Sequence, residues 1–179
     1  MLLKEKKEIE AWLNQYKITD YELIEDQEYG YVVNVNENVN LNKRKLTNIK
    51  VKFNKVNGYF SCNNNKLKTL EGCPEIVKGD FSCGYNDLIS LKGCPKIIYG
   101  NFCCQNNQLT SLKGCPEIIK GNFLLARNEL TSLRYCPKKI DGDFSCSYNQ
   151  LKTLKYSPKI IKGGYYCNNN QLTSLKDCP

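Results

Sequence analysis

The 179-residue sequence contains no histidine, which removes the side chain most often used as a general base or metal ligand near neutral pH. It has no apolar stretch long enough to cross a membrane and no N-x-[ST] glycosylation sequon. The first residues, MLLKEKKEIEAWL, lack the apolar core of a secretory signal peptide. These absences disfavour a secreted glycoprotein, a membrane protein and an enzyme with a histidine base. We therefore expect a cytoplasmic protein.

Glycine recurs at an interval of 21 residues through two thirds of the chain, at Gly58, Gly79, Gly100, Gly121, Gly142 and Gly163. Each glycine opens a unit of the form G-x-F-x-C-x-x-N-x-L-x-[ST]-L-x-x-C-P, as in GDFSCGYNDLISLKGCP. A fixed period of this length is typical of a solenoid, in which each unit buries its apolar side only against its neighbours. The pattern predicts a repeat protein with one continuous core.

Ten of the 11 cysteines occupy two fixed positions of the unit. One row is Cys62, Cys83, Cys104, Cys146 and Cys167, the other is Cys73, Cys94, Cys115, Cys136 and Cys178, and Cys103 lies outside both. Equivalent residues of stacked strands lie about 4.8 Å apart, whereas the Cβ atoms of a disulfide need about 3.8 Å. We therefore expect buried, free thiols in a reducing compartment, with Cys103 facing outward as the first to react. Without histidine or a CxxC pair, no metal site or other cofactor is expected.

The residues of one unit indicate how the coil is built. Phe81 and Cys83 alternate with small or polar residues, which predicts a short strand with one buried face. Such strands recur once per unit in the same direction and should pair as a parallel sheet. The Asn that follows each strand, such as Asn86, can satisfy backbone groups where the chain bends away. Because Pro95 lacks an N–H, we expect the return segments to be mostly irregular.

The apolar-x-apolar strand followed by N-x-L-x-[ST]-L resembles the leucine-rich repeat family, with Phe and Cys in place of Leu. The resemblance implies an α/β-type repeat solenoid, a short arc with one parallel β-sheet on its concave face. Six units span residues 58–179, the last truncated, and a degenerate seventh precedes them, so the predicted solenoid covers residues 37–179. The Cys-Pro variant also resembles short repeat proteins of phages and mobile elements in low-GC bacteria, and the Lys-, Asn- and Ile-rich composition agrees with such a source.

Residues 1–36 do not follow the repeat. Apolar side chains recur there at helical spacing, at Leu2, Leu3, Ile9, Trp12, Leu13 and Tyr16. Two strand-like runs follow, Tyr21–Ile24 and Tyr31–Val35. Because the first coil of a solenoid must be covered, we predict a helix-plus-hairpin cap, with a free partner-binding helix as the alternative. No similar cover follows the last unit, which raises the prospect of a homodimer through that edge.

Positive charge is concentrated after residue 37. Residues 1–37 hold nine acidic and four basic side chains, residues 38–57 hold six basic and no acidic ones, and residues 58–179 hold sixteen basic and nine acidic ones. The candidate polyanion-binding residues are Lys43, Arg44, Lys45, Lys96, Lys120, Lys138, Lys159 and Lys162. They indicate either a solvated basic face or a footprint for RNA, DNA or an acidic protein surface.

The outward face of the predicted sheet is rich in Asn, Ser and Tyr. Tyr and Arg are the residues most often found as interface anchors. The fourth unit departs most from the others, because Leu124 stands in a row of Ser and Arg127 in a row of Asn and Tyr. The candidate partner-binding residues are Tyr59, Tyr85, Leu124, Arg127, Tyr148 and Tyr166.

A catalytic site is not expected. Asp80 and Asp143 are three units apart, roughly 14 Å, which is too far for a carboxylate pair. The sequence favours a protein-binding scaffold that acts through the sheet face. Its most concrete form, taken from the resemblance, is a phage or mobile-element inhibitor of a host defence nuclease complex, similar in role to anti-CRISPR proteins. The alternatives are a nucleic-acid-associated protein that uses the basic face and a self-associating structural repeat.

Overall fold

A computed structural model describes residues 2–179. It shows a β-solenoid of about six turns, with one helix and many very short strands among the described residues. The elements in chain order are α1 (Lys6–Gln15), β1 (Tyr21–Asp26), β2 (Gly30–Val35), β3 (Val39–Asn40), β4 (Phe53–Val56), β5 (Phe60–Ser61), β6 (Ile76–Val77), β7 (Phe81–Ser82), β8 (Ile97–Ile98), β9 (Phe102–Cys103), β10 (Ile118–Ile119), β11 (Phe123–Leu124), β12 (Lys139–Ile140), β13 (Phe144–Ser145), β14 (Ile160–Ile161) and β15 (Tyr165–Tyr166).

The sheet that we name the Phe sheet consists of β3, β5, β7, β9, β11, β13 and β15, all parallel and in strict register. Its buried aromatic rings form a row from Phe60 to Tyr165, with neighbouring ring centroids 5.1 to 5.8 Å apart. Cys62 and its equivalents pack on the same side of the strands and are fully buried in the inner coils. This is the predicted parallel sheet, and its interior is the predicted continuous core.

The return segments are mostly irregular, as predicted, but each contains a two-residue strand, and the prediction of a single sheet was wrong. The apolar pairs that follow each Cys-Pro, such as Ile97 and Ile98, form a second set of parallel strands. This Ile sheet has the order β1-β2-β4-β6-β8-β10, and β12 and β14 form a separate pair. Two adjacent β-branched residues favour an extended backbone, and their 21-residue recurrence aligns them with the preceding coil. Pro95 lies just before its strand and removes none of the ladder hydrogen bonds.

The repeat glycines let the backbones of adjacent coils approach each other closely. A Cβ built on Gly100 would lie 2.3 Å from Oδ1 of Asp80 in the preceding coil. That oxygen accepts a hydrogen bond of 2.7 Å from the N–H of Asn101. A side chain at Gly100 would therefore displace an inter-coil hydrogen bond.

The segment before the repeats contains one helix and one hairpin. Helix α1 is shorter than the spacing of apolar residues predicts, since it begins at Lys6 and leaves Leu2 and Leu3 outside. The strands β1 and β2 are antiparallel, and β2 continues the Ile sheet by pairing in parallel with β4. The ring of Trp12 lies 6.2 Å from that of Phe53, so the helix packs against the first coil.

Candidate functional site

The Phe sheet ends at a tight corner, and one residue of each coil there has a left-handed backbone. We name these residues the first turn row: Lys43, Asn64, Tyr85, Asn106, Arg127, Tyr148 and Asn169, all with φ between 54° and 58°. For L-residues other than Gly and Asn this conformation costs roughly 1–2 kcal/mol. Asn suits the position, whereas Tyr and Arg do not. Three of the six residues predicted to bind a partner lie in this row.

The corner is held by hydrogen bonds between coils. The N–H of Tyr85 donates to the carbonyl of Gln105 at 3.0 Å, and the N–H of Arg127 donates to the carbonyl of Ser147 at 3.1 Å. Each coil therefore fixes the turn of the coil before it, which keeps a residue left-handed even where its side chain disfavours that backbone.

An Asn follows every member of the first turn row except Lys43; it has the predicted structural role and is buried in all of these coils but the last. Nδ2 of Asn107 donates to the carbonyls of Cys83 and Cys104, both at 3.2 Å, and its Oδ1 accepts from the N–H of Leu88 at 3.1 Å. We name the set the Asn ladder: Asn65, Asn86, Asn107, Asn128, Asn149 and Asn170, whose members bond in the same way. The Asn ladder joins adjacent coils and leaves the first turn row free to face solvent.

Arg127 and Tyr148 are brought into contact across two coils. The guanidinium carbon of Arg127 lies 4.5 Å from the ring centroid of Tyr148, within the range of a cation–π interaction. Arg127 is exposed and Tyr148 is 46% exposed. Within residues 2–179, none of the ion pairs involves Arg127. Its hydrogen-bond donors are therefore available to a carboxylate on a partner.

Leu124 and Tyr166 lie on the outer face of the Phe sheet beside this pair. The register aligns Cys103, Leu124, Ser145 and Tyr166 in one row across four strands. Two strand spacings, about 10 Å, separate Leu124 from Tyr166. Leu124 is half-buried, and Tyr166 is 51% exposed. The fourth, fifth and sixth units thus present an apolar and aromatic patch with one cation.

The structure does not bring Tyr59 and Tyr85 to this patch. Tyr59 lies three coils before Leu124, at a position where other units use Asp or Asn to bond the next coil, as Asp80 does. Tyr85 shares the first turn row, but Asn106 separates it from Arg127. The outward face of the Phe sheet is also less exposed than the alternation of apolar and polar residues predicts, because Ser61 and Ser147 are buried.

The residues of the alternative, basic site fall into two groups, those that are in ion pairs and those that are not. Lys96 pairs with Glu75 at 3.0 Å, while Lys120 and Lys162 lie 3.8 and 2.9 Å from Asp141. The ammonium groups of Lys162 and Lys139, 2.9 and 3.0 Å from its Oδ1, lower the pKa of Asp141 to about 2, so it is ionised near neutral pH. Lys43, Arg44 and Lys45 lie near the N-terminal segment, where Arg44 approaches the ring of Tyr16 at 6.0 Å. Across the described chain, Lys138 and Lys159 are in no ion pair.

A second corner, at the start of the Cys-Pro segment, was not among the predicted sites. Its left-handed residues, which we name the second turn row, are Gly72, Gly93, Gly114, Tyr135, Tyr156 and Asp177. The signal was present in the sequence, because aligning the units places Tyr135 and Tyr156 where three earlier units have Gly.

All 11 cysteines are unpaired, and burial raises the pKa of several of them, including Cys73, Cys83, Cys94 and Cys115. Cys103, expected to face outward, is only half-exposed, and burial raises its pKa too. The described residues include no cluster of three or more His, Cys, Asp or Glu side chains suited to a metal ion.

Comparison with protein-family models, with curated proteins and with solved structures finds no match to this chain. None of the helices described in residues 2–179 is both long and apolar enough to span a membrane.

Proposed function

We propose that the chain is a non-catalytic, cytoplasmic protein-binding scaffold whose contact surface is the patch of Leu124, Arg127, Tyr148 and Tyr166. The observation that carries the proposal is the Arg127–Tyr148 pair. Both residues hold a left-handed backbone that their side chains disfavour, both are exposed, and three other coils satisfy the same turn with Asn64, Asn106 and Asn169. Strain of this kind persists where a side chain is needed for something other than folding.

The chemistry of the patch suits a protein surface with a carboxylate next to an apolar residue. Arg127 can bind the carboxylate with two parallel hydrogen bonds while the ring of Tyr148 holds the guanidinium in place. Leu124 and Tyr166 supply apolar area that excludes water around the ion pair. Such an aromatic and arginine cluster is the usual composition of an interface hot spot.

We further propose that the solenoid is leucine-rich-repeat-like, with the Phe sheet on its concave side, and that residues 1–36 cap the first coil. The N-x-L-x-[ST]-L spacing supports the first point, and the packing of Trp12 on Phe53 supports the second. In its most specific form, the proposed partner is a host defence nuclease complex that a phage or mobile element inhibits. That form rests on the resemblance of the Cys-Pro units to repeat proteins of phages and mobile elements, and on composition.

The test uses a double variant, Leu124→Ser with Arg127→Asn, which installs residue types found in other units. A partner captured from a low-GC bacterial lysate is purified, and its affinity is measured by titration calorimetry. We expect the variant to bind more weakly by over about 2 kcal/mol while thermal stability does not fall. The matched control is Ile118→Ser with Lys120→Asn, an outward apolar residue and a cation on the Ile sheet, which should leave binding unchanged.

Normal binding by the double variant, combined with loss of binding when Lys138 and Lys159 are neutralised, would place the interface on the basic side instead. The nuclease form is tested separately by expressing the chain in a bacterium protected by a nuclease-based defence. If the chain does not change the efficiency of phage plating on bacteria with such defences, the inhibitor proposal is rejected. The scaffold proposal is then decided by the binding measurement alone.

A further inference from the structure

Two tyrosines occupy a corner that the repeat builds for glycine. Tyr135 and Tyr156 have φ of 73° and 72°, and they follow Gly72, Gly93 and Gly114 in the second turn row. A Cβ built on Gly93 would lie 2.5 Å from backbone atoms of Leu70, so the early coils leave no room for a side chain there. The two later coils instead hold large aromatic residues in a backbone that aromatic residues rarely adopt. Both rings are about half-exposed, at 51% and 49%.

Each of these rings is paired with a cation from its own coil. The guanidinium carbon of Arg134 lies 5.1 Å from the ring centroid of Tyr135, and Nζ of Lys155 lies 5.2 Å from that of Tyr156. In the first unit the equivalent of these cations is Glu71. Lys92 and Lys113 hold the same position in the second and third units, so the cation is shared by later units and the exposed rings are what the fourth and fifth units add.

A groove runs between the two rings. Its volume is about 310 Å³, and we name it the tyrosine groove, lined by Tyr135, Cys136, Lys138, Tyr156, Ser157 and Lys159. No carboxylate lines it, and within residues 2–179 no ion pair uses Arg134, Lys138, Lys155 or Lys159. The nearest acids in the same rows are Glu117, one coil before Lys138, and Asp177, one coil after Tyr156. The tyrosine groove thus has two rings and two lining lysines, and Arg134 and Lys155 lie against those rings, so four cations outside any described ion pair surround it.

We propose that the tyrosine groove binds single-stranded nucleic acid, with Tyr135 and Tyr156 stacking on bases and the four cations contacting phosphates. Flat rings beside a basic track are the usual means of binding single strands without sequence preference. Bases in a duplex are already stacked and do not reach such rings. An acidic peptide would use the cations but has no need of two aromatic rings held in a left-handed backbone.

This site is distinct from the patch of Leu124, Arg127, Tyr148 and Tyr166, which lies on the Phe sheet side of the coils. The proposal also differs from a diffuse basic face, because it excludes Lys96, Lys120 and Lys162, which are in ion pairs with Glu75 or Asp141. Either site can fail its test without affecting the other.

The test measures fluorescence anisotropy of a labelled 15-nucleotide oligo-dT strand titrated with the full chain at several salt concentrations. The main variant is Tyr135→Gly with Tyr156→Gly, which restores the residue of the earlier coils and relieves the left-handed strain. We expect binding to weaken at least tenfold while the thermal midpoint does not fall. The control is Tyr99→Ala, which removes an exposed ring that also lies under a lysine, with Nζ of Lys78 3.9 Å from its centroid, outside the groove. It should bind as the unaltered chain does.

The proposed contacts between the cations and phosphates are tested by the salt dependence of oligo-dT binding. Four phosphate contacts predict a slope of log affinity against log salt of about −3, and Lys138→Ala with Lys159→Ala should make it shallower by about 1.4. Inorganic polyphosphate and polyglutamate serve as competing probes, and we expect each to bind more weakly than oligo-dT and without dependence on the two tyrosines.

Three results would overturn the proposal. The first is no binding of oligo-dT by the unaltered chain, and the second is equal binding by the double glycine variant. The third is polyglutamate binding tighter than oligo-dT and lost in that variant, which would identify an acidic peptide as the ligand.

Discussion

Two consecutive residues in each coil have opposite roles at the corner of the Phe sheet. The first, such as Asn106, has a left-handed backbone and a solvent-facing side chain, while the second, such as Asn107, is buried and hydrogen-bonded to two coils. Because the second residue satisfies the backbone, the first is free to vary among Asn, Tyr and Arg in the six coils that have this Asn. The side chain at the first position can therefore vary, although the next residue in the chain is a core Asn that cannot.

We expect Asn107→Ala to lower the free energy of unfolding by about 3 kcal/mol. The change leaves the carbonyls of Cys83 and Cys104 and the N–H of Leu88 short of a buried partner, and each such loss costs roughly 1–3 kcal/mol. Urea denaturation of the variant measures the difference. The neighbouring Gln108→Ala alters an exposed side chain and should change stability by no more than about 0.5 kcal/mol. Similar losses for both variants would show that the Asn ladder does not join the coils.

The Asn ladder was predictable because its amide recurs beside every strand and an amide can serve carbonyl and N–H groups together. The positive φ of Arg127 and Tyr148 was not, since nothing in either side chain signals a left-handed backbone. The contact between Arg127 and Tyr148 follows from their equivalent places in adjacent coils, which the repeat does predict.

At the scale of elements, most strands are only two residues long and depend on their neighbours. A pair such as Phe102 and Cys103 makes few hydrogen bonds of its own, but it stacks between β7 and β11 in register. The aromatic row adds side-chain packing along the same direction, with Phe102 and Phe123 stacked at 5.1 Å and an interplanar angle of 10°. Each strand is stable because the two beside it are formed.

We expect Phe102→Ala to destabilise the protein by roughly 3–5 kcal/mol, because it leaves a cavity between Phe81 and Phe123 in a fully buried row. The comparison variant is Ile118→Ala in β10, whose side chain is 40% exposed and should cost about 1 kcal/mol or less. Thermal and urea unfolding would rank the two. An equal cost would mean that the Phe sheet is not the main core of the coil.

The strands of the Phe sheet were predictable from the alternation of Phe81 and Cys83 with polar residues. The Ile sheet was not expected, because a two-residue run after Cys-Pro is too short to show alternation. The signal that was present is positional: a β-branched pair at the same place in successive units must stack if the units stack. Comparing the same position in successive repeats therefore predicts the Ile sheet, whereas the pattern within one repeat does not.

For the molecule as a whole, the reactivity of the cysteine thiols measures how well the interior of the solenoid is shielded from solvent. Its thiols range from fully buried, as in Cys83, to exposed, as in Cys178. Burial raises the pKa of Cys83, and this lowers the fraction of reactive thiolate at any pH below that value. Reaction of the inner thiols therefore requires opening of the coil.

We expect one fast thiol in the native protein when it is treated with a colorimetric thiol reagent at pH 8. Cys178 is exposed and should react first, ahead of Cys103, whose half-buried thiol has a raised pKa. The inner cysteines should react only as the protein unfolds in denaturant. Cys178→Ser should remove the fast phase. If Cys83 and Cys104 reacted as fast as Cys178, the interior of the coil would be open to solvent.

The strict 21-residue register also bears on how such a gene can change. Each coil contacts the one before and the one after through the same set of atoms, as Phe81, Phe102 and Phe123 illustrate. Unequal crossing-over that adds or removes a whole unit would recreate those contacts at the junction, while any other change in length would shift Phe out of its row. Recombination could therefore lengthen or shorten this protein in steps of one coil. A step before the fourth unit would move the Arg127 patch and the tyrosine groove together by about 4.8 Å relative to the N-terminal segment.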